Sequence, residues 1–400
     1  MAELPWLTIV GLGEDGPDGL PPASLRALDA AEIVIGPARH LSLLPDLDAT
    51  RVEWPVPFAE GLTLLHGYRG RRVVALASGD PFWFGAGSVI ARGLEPDEWR
   101  ALPSPSSFAL AASRLGWALE TTVCLGLHAT PLARLRPHLA RGERAILLLR
   151  DGAAVADLAR YLVAKGFGAS HLTVMEALGG PRERIMPVRA DALPDTVFTH
   201  PVAVAAKFDG TGRALPCASG ISDDLFTSDG QITKRPVRAL ALSALAPQPG
   251  EVLWDIGGGS GSISVEWCLS HPRNTATCVE TRPDRAAHIR SNAQSFGLDH
   301  RLSVVEGMAP DALADLSAPD AVFIGGGLSE ALLDELHARL ASGTRLVAHA
   351  VTLESEALLA EWSGRIGGDL MRIELASAAP LGTRRGWVPA RPIVQWQVVL

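Results

Sequence analysis

The apolar positions of this chain fall into two textures. Up to about residue 206, short unbroken apolar runs at 6–10, 32–35, 73–77, 145–149, 171–174 and 202–206 predict strands. Helix-spaced stretches at 24–31, 107–115 and 155–165 lie between them. Unbroken rather than alternating runs predict strands buried on both faces, in sheets covered by helices. The pattern then lapses: 208–231 is rich in Gly, Asp, Ser and Thr and has no period, which predicts a linker. A second texture begins near Thr233, with an amphipathic helix over 237–245 and a Pro247-Gln248-Pro249-Gly250 turn. A strand at 251–256 follows, then a helix marked by Ile263, Val265 and Trp267, then strands at 275–279, 302–305, 321–324, 345–350, 370–375 and 393–399. Seven strand signals with helical crossovers predict a doubly wound α/β sheet. The two halves share no repeat. The expected division is a domain over 1–210, a linker over 211–230 and a second domain over 231–400.

Composition narrows the function classes. Apolar residues make up 47% of the 400 positions and charged ones 20%, enough for sizeable cores. The formal net charge of −8 argues against a nucleic-acid partner, and it requires any anionic substrate to be met by a local arginine cluster. Cys124, Cys217, Cys268 and Cys278 show neither a Cys-x-x-Cys pair nor zinc spacing, and no histidine has ligand spacing, so reduced thiols and no metal are expected. The chain opens without a basic segment leading into an apolar stretch, and no apolar run approaches about 18 residues. The expectation is a cytoplasmic protein with no membrane partner.

Chemistry concentrates at two glycine-rich sites. Asp255-Ile256-Gly257-Gly258-Gly259-Ser260-Gly261 follows a strand and opens a helix, and the next strand ends in Glu280. The Asp-x-Gly-x-Gly-x-Gly spacing differs from the Gly-x-Gly-x-x-Gly of a dinucleotide fingerprint. A carboxylate at Glu280 is placed to accept ribose hydroxyls of an adenosine ligand. Loop and acid together resemble the S-adenosylmethionine (SAM) site of Rossmann-like methyltransferases; a plain glycine turn with a surface glutamate is the alternative. Earlier in the chain, Gly11-Leu12-Gly13-Glu14-Asp15-Gly16 follows the first strand, Ser78-Gly79-Asp80-Pro81 ends the strand at 73–77, and Ser104-Pro105-Ser106-Ser107-Phe108 comes next. Each alone also fits a structural turn. In this order they resemble the tetrapyrrole methylase family, whose two α/β lobes hold SAM in the cleft between them.

The second half resembles the decarboxylating precorrin C15-methyltransferase domain of cobalamin biosynthesis. The resemblance rests on Ile232-Thr233-Lys234-Arg235-Pro236, the glycine loop, Glu306-Gly307-Met308-Ala309-Pro310, the Gly325-Gly326-Gly327 run and Val351-Thr352-Leu353-Glu354. Joined in this order, the halves are similar to the fused precorrin-6Y C5,C15-methyltransferase family. The implied fold is a two-lobed tetrapyrrole methylase unit followed by a doubly wound Rossmann-like SAM methyltransferase unit. The implied reaction methylates a precorrin at C5 and C15 and removes carbon dioxide from the ring C acetate. SAM is implied at two sites: Thr233, Gly257, Gly258, Gly259, Ser260, Gly261, Glu280 and Ala309 at one, Ser78, Gly79, Asp80, Ser106 and Ser107 at the other. Gly258 departs from the family, where cysteine is common, and glycine should be harmless in a loop. The family also implies a homo-oligomer.

Methyl transfer from a sulfonium needs alignment and exclusion of water rather than a strong base, which fits the absence of a Ser/His/Asp or Cys/His constellation. His349, Thr352 and Glu354 are candidates near the decarboxylation, with a structural or solvated role as the stronger alternative for each. Arg384 and Arg385 are candidates for pairing with substrate carboxylates, with a solvated basic hairpin as the alternative. Two other readings stand beside the main one: a SAM methyltransferase for RNA or another small molecule, and a SAM-sensing binding protein. Acidity weighs against RNA, and the intact glycine loop with Glu280 against a degenerate sensor.

Overall fold

The computed structural model describes residues 5–400. It divides into two compact units: one runs through Leu132 and resumes over His138–Arg213, and the other holds Ala133–Pro137 with Ala214–Leu400.

The first unit contains two five-stranded sheets. Strands β1 (Leu7–Leu12), β2 (Ile33–Gly36), β3 (Thr50–Glu53), β4 (Val73–Ser78) and β5 (Trp99–Leu102) form a parallel sheet in the order β3-β2-β4-β1-β5. All six residues of β1 are buried, as expected for a central strand covered on both faces. Val10 and Leu12 pack with Ala27 and Leu28 on one side, and Leu7 and Ile9 with Leu65 and Trp54 on the other. The second sheet joins β6 (Val123–Gly126), β7 (Arg144–Leu149), β8 (His171–Glu176), β9 (Arg184–Arg189) and β10 (Val202–Lys207) in the order β6-β7-β10-β8-β9. Its β10 runs antiparallel to both neighbours. Helix Ser107–Leu115 closes one face through Phe108, Ala111 and Ala112. Edge strands β3 and β9 are mostly exposed, and charged residues sit along β3 and at both ends of β9, Arg184 and Arg189.

The second unit is one seven-stranded sheet plus a hairpin. Strands β11 (Val252–Ile256), β12 (Thr275–Glu280), β13 (Leu302–Glu306), β14 (Ala321–Ile324), β15 (Arg345–Ala350), β16 (Asp369–Ile373) and β19 (Ile393–Val399) stand in the order β13-β12-β11-β14-β15-β19-β16. Only β19 runs against its neighbours. The hairpin pairs β17 (Ala376–Leu381) with β18 (Arg384–Pro389). The strand order reverses between β11 and β14, so the crevice beyond their carboxyl ends is where such a sheet binds ligands.

From Ala214 onward, the stretch expected as a linker lies within this unit. Ile221 and Phe226 are buried in the same apolar cluster as Leu242, Leu245 and Phe296. Arg238, fully buried, donates to Glu266 (2.6 Å), Asp223 (3.0 Å) and the Ile221 carbonyl. Glu266 in turn accepts from the Gly220 and Ile221 amides at 2.6 and 2.8 Å. The buried cation and carboxylate satisfy each other, and together they replace the apolar periodicity that the segment lacks.

Among the described residues, no helix is long and apolar enough to cross a membrane, and no group of three or more His, Cys, Asp or Glu is placed to hold a metal ion.

Candidate active sites

In the second unit the chain leaves β11 into the glycine loop and enters helix Ser262–Ser270. Asp255, at the end of β11, is 1% exposed and accepts from Ser264 Oγ (2.7 Å), the Ser264 amide (3.3 Å) and Cys278 Sγ (3.3 Å). Burial pushes its carboxyl up to about 6, against the opposing effect of the Ser264 and Cys278 hydrogen bonds. Its role is to staple strand to helix and set the loop between them. Gly258 sits over Cys278: a Cβ at 258 would come within 2.6 Å of that sulfur. Glycine at 258 thus leaves room for the Cys278 sulfur.

Glu280 closes β12 with 4% exposure; it is not a surface residue. Its Oε2 accepts from the Gly259 amide at 2.8 Å and its Oε1 from the Arg282 amide at 3.0 Å. The acid therefore spans from one carboxyl-end loop to the next. Gly259 adopts φ +59, and nothing lies within 3.9 Å of where its Cβ would stand. That neighbour at 3.9 Å is the Gln231 carbonyl oxygen, so the segment carrying Thr233 runs beside the loop. Ser260 is buried, and its Oγ has no protein partner. An open cradle over Gly259, an orphaned hydroxyl and a carboxylate at the next strand end fit SAM. Ala309 lies in the loop after β13, which the Gly307 amide ties to the Glu280 carbonyl at 3.0 Å.

His349 pairs across the ladder with Gln395, its Nε2 3.0 Å from Gln395 Oε1, and it meets the Phe323 ring edge-on at 4.9 Å. Burial lowers its proton affinity, leaving a neutral imidazole. Thr352 caps helix Leu353–Ile366, accepting from the Ser355 amide at 3.2 Å, and Glu354 is exposed in the first turn of that helix. Arg384 and Arg385 are exposed on the hairpin. Because Ile373 at the end of β16 pairs with Ile393 at the start of β19, the hairpin leaves the sheet at its carboxyl edge, the edge of the glycine loop. Leu381, Trp387 and Val388 on it are likewise exposed.

In the first unit, three loops meet at the carboxyl edge of the parallel sheet. The Gly79 amide donates to the Leu12 carbonyl (3.1 Å), the Ser104 amide to the Gly79 carbonyl (3.1 Å), and Ser104 Oγ to the Gly11 carbonyl (2.8 Å). A Cβ on Gly11 would fall 1.8 Å from the Gly79 oxygen, so the glycine is required by this approach. Asp80 accepts from the Phe82 amide at 2.8 Å, an Asx turn, and Ser106 caps the helix beginning at Ser107 through the Ala109 amide at 3.1 Å. Ser78, Gly79 and Ser107 line a cleft of about 440 Å³ that also takes in Phe84 and His200, within the ~300–1,000 Å³ usual for small-molecule sites. A larger hollow of about 810 Å³ lies at the amino ends of β1 and β4, the edge from which this sheet type does not present ligand loops.

The cleft also holds charges not singled out in the sequence. Glu14, buried after β1, accepts from Arg39 and, at 3.1 Å, from Arg182. Arg39 donates to Ser78 Oγ (3.1 Å) and lies 2.8 Å from His40 Nε2. Burial and then the Arg39 charge push His40 down to about 3. The one available signal was position: Glu14 and Arg39 both fall just past the ends of buried strands.

Fold and sites together define a two-domain α/β protein of the tetrapyrrole methylase kind with an added Rossmann-like methyltransferase unit. A family model described as Tetrapyrrole (Corrin/Porphyrin) Methylases matches residues 6–194, and one described as Precorrin methyltransferase domain matches residues 224–400. A relative from Sinorhizobium sp, named precorrin-6Y C(5,15)-methyltransferase [decarboxylating], is 50% identical over 98% of this chain and 96% of its own. A relative of the same name from Mycobacterium tuberculosis (strain CDC 1551 / Oshkosh) is 40% identical over 98% of this chain and 99% of its own. A shorter relative from Salmonella typhimurium, named cobalt-precorrin-6B C(15)-methyltransferase (decarboxylating), is 32% identical over 43% of this chain and 92% of its own. The chain belongs to the precorrin-6Y C(5,15)-methyltransferase (decarboxylating) family.

Proposed function

We propose that the chain is a SAM-dependent enzyme of cobalamin biosynthesis that methylates precorrin-6Y at C5 and C15 and releases carbon dioxide from the ring C acetate. The observation that carries this reading is 50% identity along practically the whole length of a relative of that name. The division of labour is part of the proposal: the first unit methylates C5, and the second methylates C15 and decarboxylates. The length of the relative named for C15 methylation and decarboxylation alone, which aligns with 43% of this chain, supports one unit carrying both steps.

Each unit has its own SAM site. In the second, the loop Gly257–Gly261, Glu280, Thr233 and Ala309 hold the cofactor; in the first, Ser78, Gly79, Asp80, Ser106 and Ser107 do so. When bound, SAM supplies an electrophilic methyl group on a sulfonium. The protein fixes the line from meso carbon through methyl to sulfur and keeps water out. Each transfer forms a carbon–carbon bond, breaks a carbon–sulfur bond and releases the meso proton. Loss of carbon dioxide leaves an electron pair that the neighbouring protonated, conjugated rings accept, and the remaining carbon takes up a proton. Of the three candidates for handling that proton, His349 has the best geometry: a neutral imidazole with one nitrogen held by Gln395 at 3.0 Å. Thr352 and Glu354 are better explained by the helix they begin. Arg384 and Arg385, on the hairpin at the same edge, pair with acceptor carboxylates.

A homo-oligomer in the cytoplasm completes the proposal, and sedimentation of the purified protein tests its assembly. The reaction is tested by the mass of a precorrin incubated with protein and SAM. Two methyl additions with one carbon dioxide lost are expected; an unchanged mass sinks the reading.

A further inference from the structure

In a chain of net charge −8, the cleft of the first unit gathers two arginines onto a single carboxylate. Glu14 comes from the first sheet's β1 loop, Arg39 from the loop after β2, and Arg182 from the loop after β8 of the second sheet. One carboxylate cannot neutralise two guanidiniums, and the other polar neighbours of Arg39, Ser78 Oγ and the neutral His40, contribute no negative charge. The Glu14 side chain is 7% exposed, so its own charge is spent inward on the arginines. Arg39 keeps 29% exposure and lines the cleft, and Arg182 keeps 62%. The cluster is built rather than incidental. Gly180 lies so close over Glu14 that a Cβ there would come within 2.6 Å of the Glu14 Cβ, which lets the second sheet's loop close down on it. A half-buried guanidinium, oriented by a buried acid and left with net positive charge, is the group that receives a carboxylate by paired hydrogen bonds.

We propose that Arg39, with Arg182 beside it and Glu14 orienting both, forms a carboxylate-receiving subsite in the cleft of the first unit. The inference rests on the reading that this unit methylates C5. Two ligands of that reaction present carboxylates: the acetate and propionate arms of the tetrapyrrole, and the methionine end of SAM. A guanidinium that receives either binds it before and during the reaction, so its loss appears in KM.

The test is steady-state kinetics of C5 methylation by the full-length protein and its Arg39→Met and Arg39→Lys variants, read by product mass. C15 methylation in the same mixture serves as the internal standard. Arg39→Met should raise KM for the tetrapyrrole about tenfold or more, the scale for a lost charged hydrogen bond, and Arg39→Lys should recover part of it. A rise in KM for SAM instead would support the subsite and assign it to the cofactor's carboxylate. If neither KM moves by more than about twofold, or only kcat falls, the proposal is overturned. Should Arg39→Met not fold, Arg182→Met, on the more exposed partner, replaces it: a KM rise of about threefold or more supports the subsite and an unchanged KM overturns it. Failure of the broader reading is separate, because the unsubstituted protein would then not methylate C5 at all.

Discussion

Glu280 links two kinds of work at the scale of one side chain. Its carboxylate, proposed to receive the ribose of SAM, accepts the Gly259 and Arg282 amides in the same position. Glu280→Gln should therefore weaken SAM at the second unit's site by about 1.5–3 kcal/mol, the range for hydrogen bonds to charged groups, and lower the thermal midpoint part-way, because a carboxamide oxygen can accept from only one of the two amides. Glu280→Ala should cost the same affinity and lower the midpoint further, since both amides lose their acceptor in a site only 4% exposed. Calorimetry and a melting curve on both variants check this; equal midpoints would remove the loop-holding role. Glu280 was legible in the sequence because an acid at a strand end announces itself locally. The Glu14 cluster was not, since its partners lie 25 and 168 positions away, one brought to it by strand pairing within the first sheet and the other by a loop of the second sheet.

Among elements, the joint between β11 and helix Ser262–Ser270 depends on a carboxyl that is protonated more readily in the fold than in an unfolded chain. With Asp255 raised to about 6, the native state holds a proton between roughly pH 4 and 6 that the unfolded chain has released. Its contribution to stability is present below that window and is lost as pH rises through it, by at most on the order of 3 kcal/mol. Denaturant unfolding of the intact protein and of Asp255→Asn at pH 4, 5, 6 and 7 isolates the effect. The variant should gain on the parent as pH rises to about 6 and then run parallel. A constant difference would mean that Asp255 titrates normally. The glycine loop itself was plain from its spacing. The segment 211–230 read as linker because a buried ion pair and backbone bonds hold it, and neither leaves an apolar period. The β17–β18 hairpin likewise leaves no apolar period, its strands being exposed almost throughout, and only the Arg384-Arg385 pair marked it as a basic hairpin in the sequence.

For the whole molecule, the proposed pair of SAM sites, one on each unit, would make the chemistries separable. Calorimetry on the intact protein should find about two sites, and confinement of binding to one separately expressed half would refute that count. Gly259→Val should abolish C15 methylation and carbon dioxide loss together. A branched side chain at φ +59 is strained, and it would fill the open cradle beside the loop. C5 methylation should persist if the first unit accepts an acceptor without the C15 methyl group. Asp80→Ala should instead loosen the turn after β4 and leave a decarboxylated product one methyl short. Product masses from the two variants decide the matter, and the opposite pattern would reverse the assignment of chemistry to units.

By itself the sequence determined which strands are buried on both faces, where the backbone must turn through glycine, that an acid closes β12, and the order of motifs that marks the family. These are properties of neighbours along the chain: apolar texture, positive φ and strand-end position act over a few residues. Tertiary structure alone decided that Ala133–Pro137 joins the second unit, that the Thr233 segment runs beside Gly259, and that Arg39 and Arg182 converge on Glu14. The physical reason is that charge and close approach act through space. Their partners are set by the order in which strands pair and by which loops that order brings to one edge.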